Sequence, residues 1–208
     1  MASRDPIAPS LRLIAGPNGS GKSSLYGSKQ EAIFGNTNIA DSARSFWIIN
    51  PDLLTLRIQA VEKMVLGEAN LEALRRIEAW LRASIDAHQS VGVLSTGKYR
   101  PLVLKAKERG FEIRLPYVLL RTPELNIRRV QIRVAKGGHD VPADRIAKRW
   151  KRSLEQLPWF IDQADWALLV DNSEEFRPVG QKVDGELTVD PTAPDALKAA
   201  VSKIGLSP

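Results

Sequence analysis

A glycine-rich segment near the start of the chain has the residue types and spacing that bind phosphate. Residues 16–23 read Gly-Pro-Asn-Gly-Ser-Gly-Lys-Ser and fit the pattern G-x-x-x-x-G-K-S. Glycines in such a loop let successive backbone N–H groups converge on phosphate oxygens at a helix N-terminus. The pattern predicts binding of a nucleotide's phosphates by Gly16, Pro17, Asn18, Gly19, Ser20, Gly21, Lys22, Ser23 and Ser24.

Two residues at the end of this loop have distinct expected roles. Lys22 is expected on the β and γ phosphates. Ser23 offers a hydroxyl to Mg²⁺, which prefers oxygen ligands and keeps several waters. The alternative is a glycine-rich turn that matches the pattern by chance. The apolar run at residues 11–15 and the helical pattern after Gly21 favour the phosphate loop, because the motif requires a strand before it and a helix after it.

An acidic residue follows the second predicted strand, at residues 46–49. Ligands of a parallel sheet gather at the carboxyl ends of its strands, so Asp52 is predicted to face the γ-phosphate. There it would accept a proton from an acceptor hydroxyl. The alternative is that Asp52 only caps the helix that begins at Leu53. Asn50 is either a second polar contact or a turn residue.

Residues 121–152 form a concentrated basic segment, with ten lysines and arginines against three carboxylates. Two pairs of arginines, Arg129 with Arg133 and Arg145 with Arg149, are each spaced one helical turn apart. A Gly-Gly pair between the two helices would let the segment hinge like a lid, so that its arginines clamp phosphates. The alternative for roughly half of these cations is an ordinary solvated helix face.

Composition limits the class of protein. A chain of 208 residues without a linker-like stretch predicts one domain, residues 1–208, and the absence of cysteine excludes disulfides and thiolate catalysis. No secretory signal or membrane-spanning run is apparent, so we expect a cytoplasmic protein without a membrane partner. The net charge of +6 favours anionic partners. Two isolated histidines, His88 and His139, are too few for a zinc site.

Apolar runs alternate with helical patterns along the chain, which predicts a three-layer α/β domain. Its sheet would be mostly parallel, with helices on both faces and a C-terminal antiparallel hairpin turning at Asp184-Gly185. Pro116 indicates an irregularity or an edge position in the fourth strand. The predicted strands are residues 11–15, 46–49, 91–94, 112–120 and 166–170. The predicted helices are residues 52–66, 68–87, 101–109 and 123–135 and one after Pro142, with Gly67 separating the first two, a lid at 121–157, and a hairpin and helix at 176–206.

The chain resembles the zeta toxin family of P-loop kinases over about residues 10–190. The matching elements are the phosphate loop, Asn-Pro-Asp at 50–52, Gly-Gly-His-Asp-Val-Pro at 137–142, the basic stretch 145–153 and Asp-Asn-Ser at 171–173. The resemblance implies a kinase fold with ATP and Mg²⁺ as phosphoryl source. It also implies a hydroxyl of a nucleotide sugar, UDP-N-acetylglucosamine, as acceptor, and inhibition by a small antitoxin.

By the same resemblance, Asp52 is the base, Lys22 and Ser23 bind phosphate and metal, and Arg133 and Arg149 stabilise the transferred phosphoryl group. One departure concerns the third strand, where family members usually carry a Glu-Thr pair on the acceptor side. Here Val93 runs directly into Leu94, as though about three residues were missing. The chain also lacks the long extension of the larger toxins, which argues against an antitoxin partner.

Three functional hypotheses follow. The first is an ATP-dependent phosphotransferase acting on a small hydroxylated acceptor. The second is a polynucleotide 5′-kinase, in which the basic segment tracks a nucleic-acid backbone and binding weakens steeply with salt. The third is a nucleotide-binding regulator without useful catalysis, which the shortened third strand suggests. The sequence favours the first hypothesis, with Ser95 and Thr96 as further acceptor contacts.

Overall fold

A seven-stranded sheet organises the chain in a computed structural model that describes residues 8–27, 47–95, 99–138 and 140–204. Its strand order is β2-β3-β1-β4-β5-β6-β7, with β1 to β5 parallel and β6 and β7 antiparallel. This arrangement confirms the predicted mostly parallel α/β class with a C-terminal hairpin. The strands are β1 (Ser10–Ala15), β2 (Trp47–Ile49), β3 (Val91–Ser95), β4 (Glu112–Leu119), β5 (Trp166–Asp171), β6 (Arg177–Val183) and β7 (Glu186–Val189).

Helices cover both faces of the sheet. On one face, the apolar residues of the strands form the larger core with α3, α4, α6 and α7. On the other face, Leu25 of α1 packs with Ile14, Val118 and Leu168. None of the described helices combines the length and the apolar composition needed to cross a membrane. The described helices are α1 (Lys22–Gly27), α2 (Pro51–Glu62), α3 (Leu66–Asp86), α4 (Arg100–Glu108), α5 (Pro123–Ala135), α6 (Ala143–Gln163) and α7 (Asp195–Val201).

The position of β1 in the sheet determines where a ligand can bind. β1 lies between β3 and β4. The strands that follow β1 in the chain, β2 and β3, lie on one side of it, and β4 lies on the other, so the strand order reverses at β1. In parallel α/β sheets, a crevice opens at the carboxyl ends of the strands where the order reverses in this way. The loop after β1, residues 16–21, lies at this crevice, and the start of α2 lies beside it.

The break between α2 and α3 differs from the prediction. Gly67 was expected to interrupt the helices, but it lies in the first turn of α3. The chain instead turns at Lys63, which adopts a left-handed conformation with φ 56° at the end of α2. Lysine rarely adopts that conformation, so its type gave no signal for a helix end.

Pro116 lies in the middle of the sheet, so an edge position was the wrong alternative. β4 pairs with β5 through Pro116 and Leu168, whereas its pairing with β1 jumps from Arg114 to Tyr117. Proline lacks an N–H donor, and the ladder with β1 is interrupted at that place. The predicted irregularity is therefore confirmed.

The C-terminal hairpin turns where the sequence predicts it. Asp184 and Gly185 both have positive φ, 51° and 82°, and Val183 pairs with Glu186 across the turn. These angles are those of the tight turns that match the twist of a two-stranded hairpin. β6 begins at Arg177, beside the predicted start of this region at residue 176.

Candidate functional site

A cavity of about 1070 Å³ opens at the carboxyl ends of β1 to β3. Its walls come from the phosphate loop, the starts of α2 and α3, the end of β3, the C-terminal half of α5 with the turn that follows, and α6. Six predicted phosphate-binding residues line it: Asn18, Gly19, Gly21, Lys22, Ser23 and Ser24. The cavity therefore joins the predicted donor loop to the predicted lid in one space.

The phosphate loop uses backbone conformations and close contacts that require glycine. Gly16, Gly19 and Gly21 have φ of 138°, 77° and 99°. A Cβ atom on Gly16 would lie 2.0 Å from the backbone oxygen of Val118, which no side chain permits. Gly16 thus lets β1 lead directly into the loop beside β4, and the fold of the loop depends on it.

Lys22 lies at the floor of the cavity, folded back on its own loop. Its Nζ donates hydrogen bonds of 2.8 Å to the backbone oxygens of Gly16 and Pro17. Burial, with smaller contributions from the charges of Arg133 and Arg149, lowers the pKa of Lys22 to about 8, while the Asp52 carboxylate opposes this shift. Three predicted catalytic side chains are therefore close enough to influence the ammonium group of the fourth.

Asp52 faces the cavity, and its backbone position is set by Asn50. The side-chain oxygen of Asn50 accepts a 3.0 Å hydrogen bond from the N–H of Asp52 and caps α2. The alternative that Asp52 serves as the helix cap is therefore wrong, because Asn50 fills that role. The carboxylate of Asp52 is half exposed, and its Oδ2 lies 3.8 Å from a guanidinium nitrogen of Arg133.

The four predicted lid arginines all line the cavity, but they make different contacts. Nη1 of Arg149 donates a 3.0 Å hydrogen bond to the side-chain oxygen of Asn18 in the phosphate loop. Nη2 of Arg129 instead donates to the backbone oxygens of Asn172 and Ser173, at 2.7 and 3.2 Å. Arg129 thus holds the turn after β5, which the helical spacing that paired it with Arg133 did not reveal.

Two amide side chains that sequence analysis did not assign to the site hold the phosphate loop from two sides. Nδ2 of Asn126, in α5, donates a 2.6 Å hydrogen bond to the backbone oxygen of Asn18. Nδ2 of Asn172 donates one of 2.8 Å to the backbone oxygen of Ser20. A Cβ on Gly19 would lie 2.7 Å from the backbone oxygen of Asn126, so α5 packs directly on the loop. A polar residue one helical turn before Val130 on a buried face was the available signal for Asn126.

The part of the lining that comes from α3 and the end of β3 carries neutral polar and apolar side chains. Oγ1 of Thr55 donates a 3.1 Å hydrogen bond to Oδ1 of Asn70, and Ser95 is buried at the end of β3. Among the described lining residues, the carboxylates are Asp52 and Asp140, and no glutamate is present. Thr96 and His139 lie outside the described residues.

Oxygen donors at the cavity fit Mg²⁺. The hydroxyl of Ser23 and the carboxylate of Asp52 both face this space, and hard cations such as Mg²⁺ bind oxygen. The described residues contain no group of three His, Cys, Asp or Glu side chains that could hold a metal by themselves. A magnesium ion here would therefore be held by Ser23 together with substrate phosphates and water.

Comparison with known proteins gives one relative in sequence and several in structure. No family model matches the chain. An uncharacterised protein of Haemophilus influenzae is 29% identical over 138 residues, which cover 65% of this chain and 88% of that protein.

Among solved structures, one from the AvrRxo1-ORF1:AvrRxo1-ORF2 complex has a TM-score of 0.68 at 18% identity, covering 93% of this chain and 63% of that chain. A structure of the same complex with ATP has a TM-score of 0.66 at 18% identity, covering 94% of this chain and 63% of that chain. A structure from the PezAT chromosomal toxin-antitoxin system of Streptococcus pneumoniae has a TM-score of 0.55 at 16% identity, covering 97% of this chain and 80% of that chain.

These similarities show the fold. The chain shares its fold with the chain from the AvrRxo1 complex and with the chain from the PezAT system, in agreement with the predicted α/β fold. It spans 63% of the length of the AvrRxo1-complex chain that it matches. Sequence identities of 16% and 18% do not show that this chain has the same substrates or partners as those proteins.

Proposed function

We propose that this chain is an ATP-dependent phosphotransferase that moves the γ-phosphate of ATP to a hydroxyl group of a small acceptor. The observation that supports it best is the grouping of Lys22, Asp52, Arg133 and Arg149 around one cavity beside a glycine-built phosphate loop. Phosphoryl transfer needs positioned cations and a group that orients the acceptor, and these residue types supply both.

The proposed roles follow from the geometry. Lys22 and the backbone N–H groups of the loop bind the donor phosphates, and Arg133 and Arg149 balance the charge of the group in transit. A bond forms between the acceptor oxygen and the γ-phosphorus, and the bond from that phosphorus to the β–γ bridging oxygen breaks. The hydroxyl proton passes to Asp52, and ADP leaves. Mg²⁺, when bound with Ser23, neutralises charge on the phosphates.

The charge of the cavity supports an acceptor that carries phosphate itself. Seven cationic side chains line the cavity and two carboxylates oppose them, an excess larger than the charge of Mg-ATP. The lining from α3 and the end of β3 is neutral, and Asn70 and Ser95 there, with Thr55 of α2, are hydrogen-bonding groups. A nucleotide sugar such as UDP-N-acetylglucosamine, with a diphosphate beside neutral hydroxyls, fits this distribution. The cations are Lys22, Arg129, Arg133, Lys136, Arg145, Arg149 and Arg152.

A nucleotide-binding regulator without useful catalysis is the second candidate. The observation that favours it is the lack of a glutamate among the described residues that line the acceptor side. In that case the chain would bind Mg-ATP through the phosphate loop and transfer no phosphate to any acceptor. Asp52 would then have no role in turnover.

The experiment that separates these candidates measures transfer of labelled γ-phosphate to a panel of nucleotide sugars and to a 5′-hydroxyl RNA oligonucleotide. We expect a nucleotide sugar to be labelled by the wild type, and Asp52→Asn to lose at least about 100-fold in kcat. Asp144→Asn is the matched control, because Asp144 is exposed and pairs only weakly with Lys148 at 3.4 Å. Labelling of RNA alone would support the polynucleotide kinase, and binding without any transfer would support the regulator.

A partner protein is part of the same proposal. The similar structures come from a two-protein complex and from a toxin-antitoxin system, which supports a small antitoxin-like partner for this chain. Phosphoryl transfer from ATP to a nucleotide sugar also fits a cytoplasmic location. The test is to express the chain in bacteria. Growth arrest by the wild type, but not by Asp52→Asn, is the expected result, and rescue by co-expression of a small protein encoded beside it would identify the partner.

A further inference from the structure

We infer that Gly138 positions Arg133 for the transfer step, because only a residue without a side chain leaves room for the Arg133 side chain on its course into the cavity. This inference rests on the proposed function. Gly138 lies in the turn that follows α5, three residues beyond Ala135, where the helix ends. It would act through Arg133 and has no role in contacting the substrate.

The turn folds back over the last turn of α5 and packs on Arg133. The N–H of Gly138 donates a 2.9 Å hydrogen bond to the backbone oxygen of Arg133. A Cβ atom on Gly138 would lie 2.6 Å from Cγ of Arg133, 3.3 Å from its Cδ and 2.9 Å from its backbone oxygen. Cγ and the backbone oxygen are close to the helix and cannot give way as the end of a flexible side chain can. A methyl group here would therefore force Arg133 into another rotamer.

The neighbouring glycine shows that space, and not backbone conformation, is the reason at this position. Gly137 has a φ of 83°, and a Cβ on it would meet no atom within 4 Å. Gly138 has no positive φ, so an L-residue could adopt its backbone conformation. Glycine is therefore needed at these two positions for different reasons. Gly137 supplies the left-handed turn and Gly138 supplies room for a side chain.

The direction of the Arg133 side chain matters because of what lies at its end. A guanidinium nitrogen is 3.8 Å from Oδ2 of Asp52, and the side chain is about two-thirds buried, with 38% of it exposed. Its charge also acts on the ammonium group of Lys22. The stem of Arg133 packs against Gly138, and its guanidinium head lies near the proposed base, in the cavity that Lys22 also lines. A change of rotamer would remove the head from both.

The experiment compares Gly138→Ala with the control variant Gly185→Asn, since Gly185 has a φ of 82° that asparagine tolerates, nothing crowds it, and it lies in the β6–β7 turn outside the cavity lining. We expect Gly138→Ala to lower kcat about 10-fold to 100-fold, with the dissociation constant for Mg-ATP changed less than about threefold. Gly185→Asn should keep kcat within about threefold of the wild type. In an Arg133→Ala background, Gly138→Ala should cause no further loss of kcat, because the residue through which it acts is gone.

A second readout does not need turnover. A crystal structure of Gly138→Ala should show the Arg133 side chain in another rotamer, with its guanidinium moved away from Oδ2 of Asp52. The inference is wrong if Gly138→Ala leaves the Arg133 rotamer and kcat unchanged, or if it lowers kcat equally with and without Arg133. If the wild type transfers no phosphate at all, the proposed function fails, and the crystal structure alone decides the placement of Arg133.

Discussion

A hydrogen bond of 3.0 Å joins Nη1 of Arg149 to the side-chain oxygen of Asn18, although 131 positions separate them in the sequence. It connects the lid helix α6 directly to the tip of the phosphate loop. The hydrogen bond fixes the position of Arg149 relative to the loop, and both line the cavity that contains Lys22. This contact makes the lid and the loop one site.

Removal of the Lys22 ammonium group should abolish most of the transfer activity. In Lys22→Ala we expect kcat to fall by at least about 100-fold to 1,000-fold, because a well-placed cation stabilises the charge of the transferred group. Lys148→Ala is the control, since Lys148 is exposed and lies outside the cavity lining. Steady-state rates of ADP release in the presence of acceptor are the measurement. A loss of only tenfold would contradict the role of Lys22.

Binding of Mg-ATP should weaken as pH rises through about 8. The pKa of Lys22 is lowered to about 8, so its ammonium group is charged below this pH and loses its proton above it. Phosphate binding needs the charged form, and we expect the affinity at pH 9 to be about tenfold lower than at pH 7. Calorimetry at several pH values measures this. Lys22→Arg keeps its charge over the range and should give a flat profile, whereas a flat profile in the wild type would contradict the shifted pKa.

Asn50 should contribute to stability through its cap, separately from the chemistry of Asp52. Asn50→Ala removes the acceptor for the N–H of Asp52 and should cost about 1 kcal/mol of unfolding free energy. For a chain of this size, Tm should fall by about 2 to 4 °C in thermal unfolding followed by circular dichroism. Asn50→Asp keeps a side-chain acceptor and should retain most of the stability. An equal loss in both variants would show that the cap bond is not the cause.

Gly16 should tolerate no side chain. Gly16→Ala would place a Cβ 2.0 Å from the backbone oxygen of Val118, so β1 and β4 would have to separate, and we expect the variant to be largely unfolded. Gly110→Ala is the matched comparison, because Gly110 has a φ of 73° and open space around it. That variant should lose only about 1 to 3 kcal/mol from backbone strain. Denaturant unfolding of both proteins checks the contrast, and comparable stability of the two would refute it.

Arg129 should affect the affinity for ATP more than the rate of transfer. It donates hydrogen bonds to the backbone oxygens of Asn172 and Ser173. Asn172 itself donates a hydrogen bond to Ser20 of the phosphate loop, so Arg129 supports the loop indirectly. Arg129→Ala should raise the KM for ATP about tenfold and change kcat less than about threefold. Arg128, its exposed neighbour, is the control, and Arg128→Ala should change neither the KM for ATP nor kcat. A kcat effect as large as that of Lys22→Ala would mean that Arg129 acts directly on the transferred phosphate.

The local signals in the sequence were sufficient for most of the elements. The apolar run before Gly16, the proline at the start of α5 and the Asp184-Gly185 turn each act through backbone preferences of a few adjacent residues, and the structure has the predicted element at each place. Lys63 is the counterexample. Its left-handed conformation ends α2 where α2 and α3 pack together, and no residue type in that stretch indicates it.

The contacts between distant segments could not be predicted in the same way. The basic segment and the phosphate loop could be assigned to phosphate chemistry from residue type alone, and the structure brings them to one cavity. Arg129, however, contacts a turn more than 40 residues later in the chain, and the strand order that brings β5 beside β4 was not available from periodicity. The role of Asn126 depends in the same way on where α5 crosses the loop.

The close packing of Gly19 on the backbone of Asn126 has a mechanical consequence for the lid. Val141 and Ile146, just before and at the start of α6, pack in turn on Val130 of α5, and the rest of α6 belongs to the larger core. Arg133 of α5 and Arg149 of α6 are therefore carried by helices that are both fixed to the body of the molecule. We expect the donor site to be assembled before ATP arrives, so that binding reorients side chains and moves neither helix.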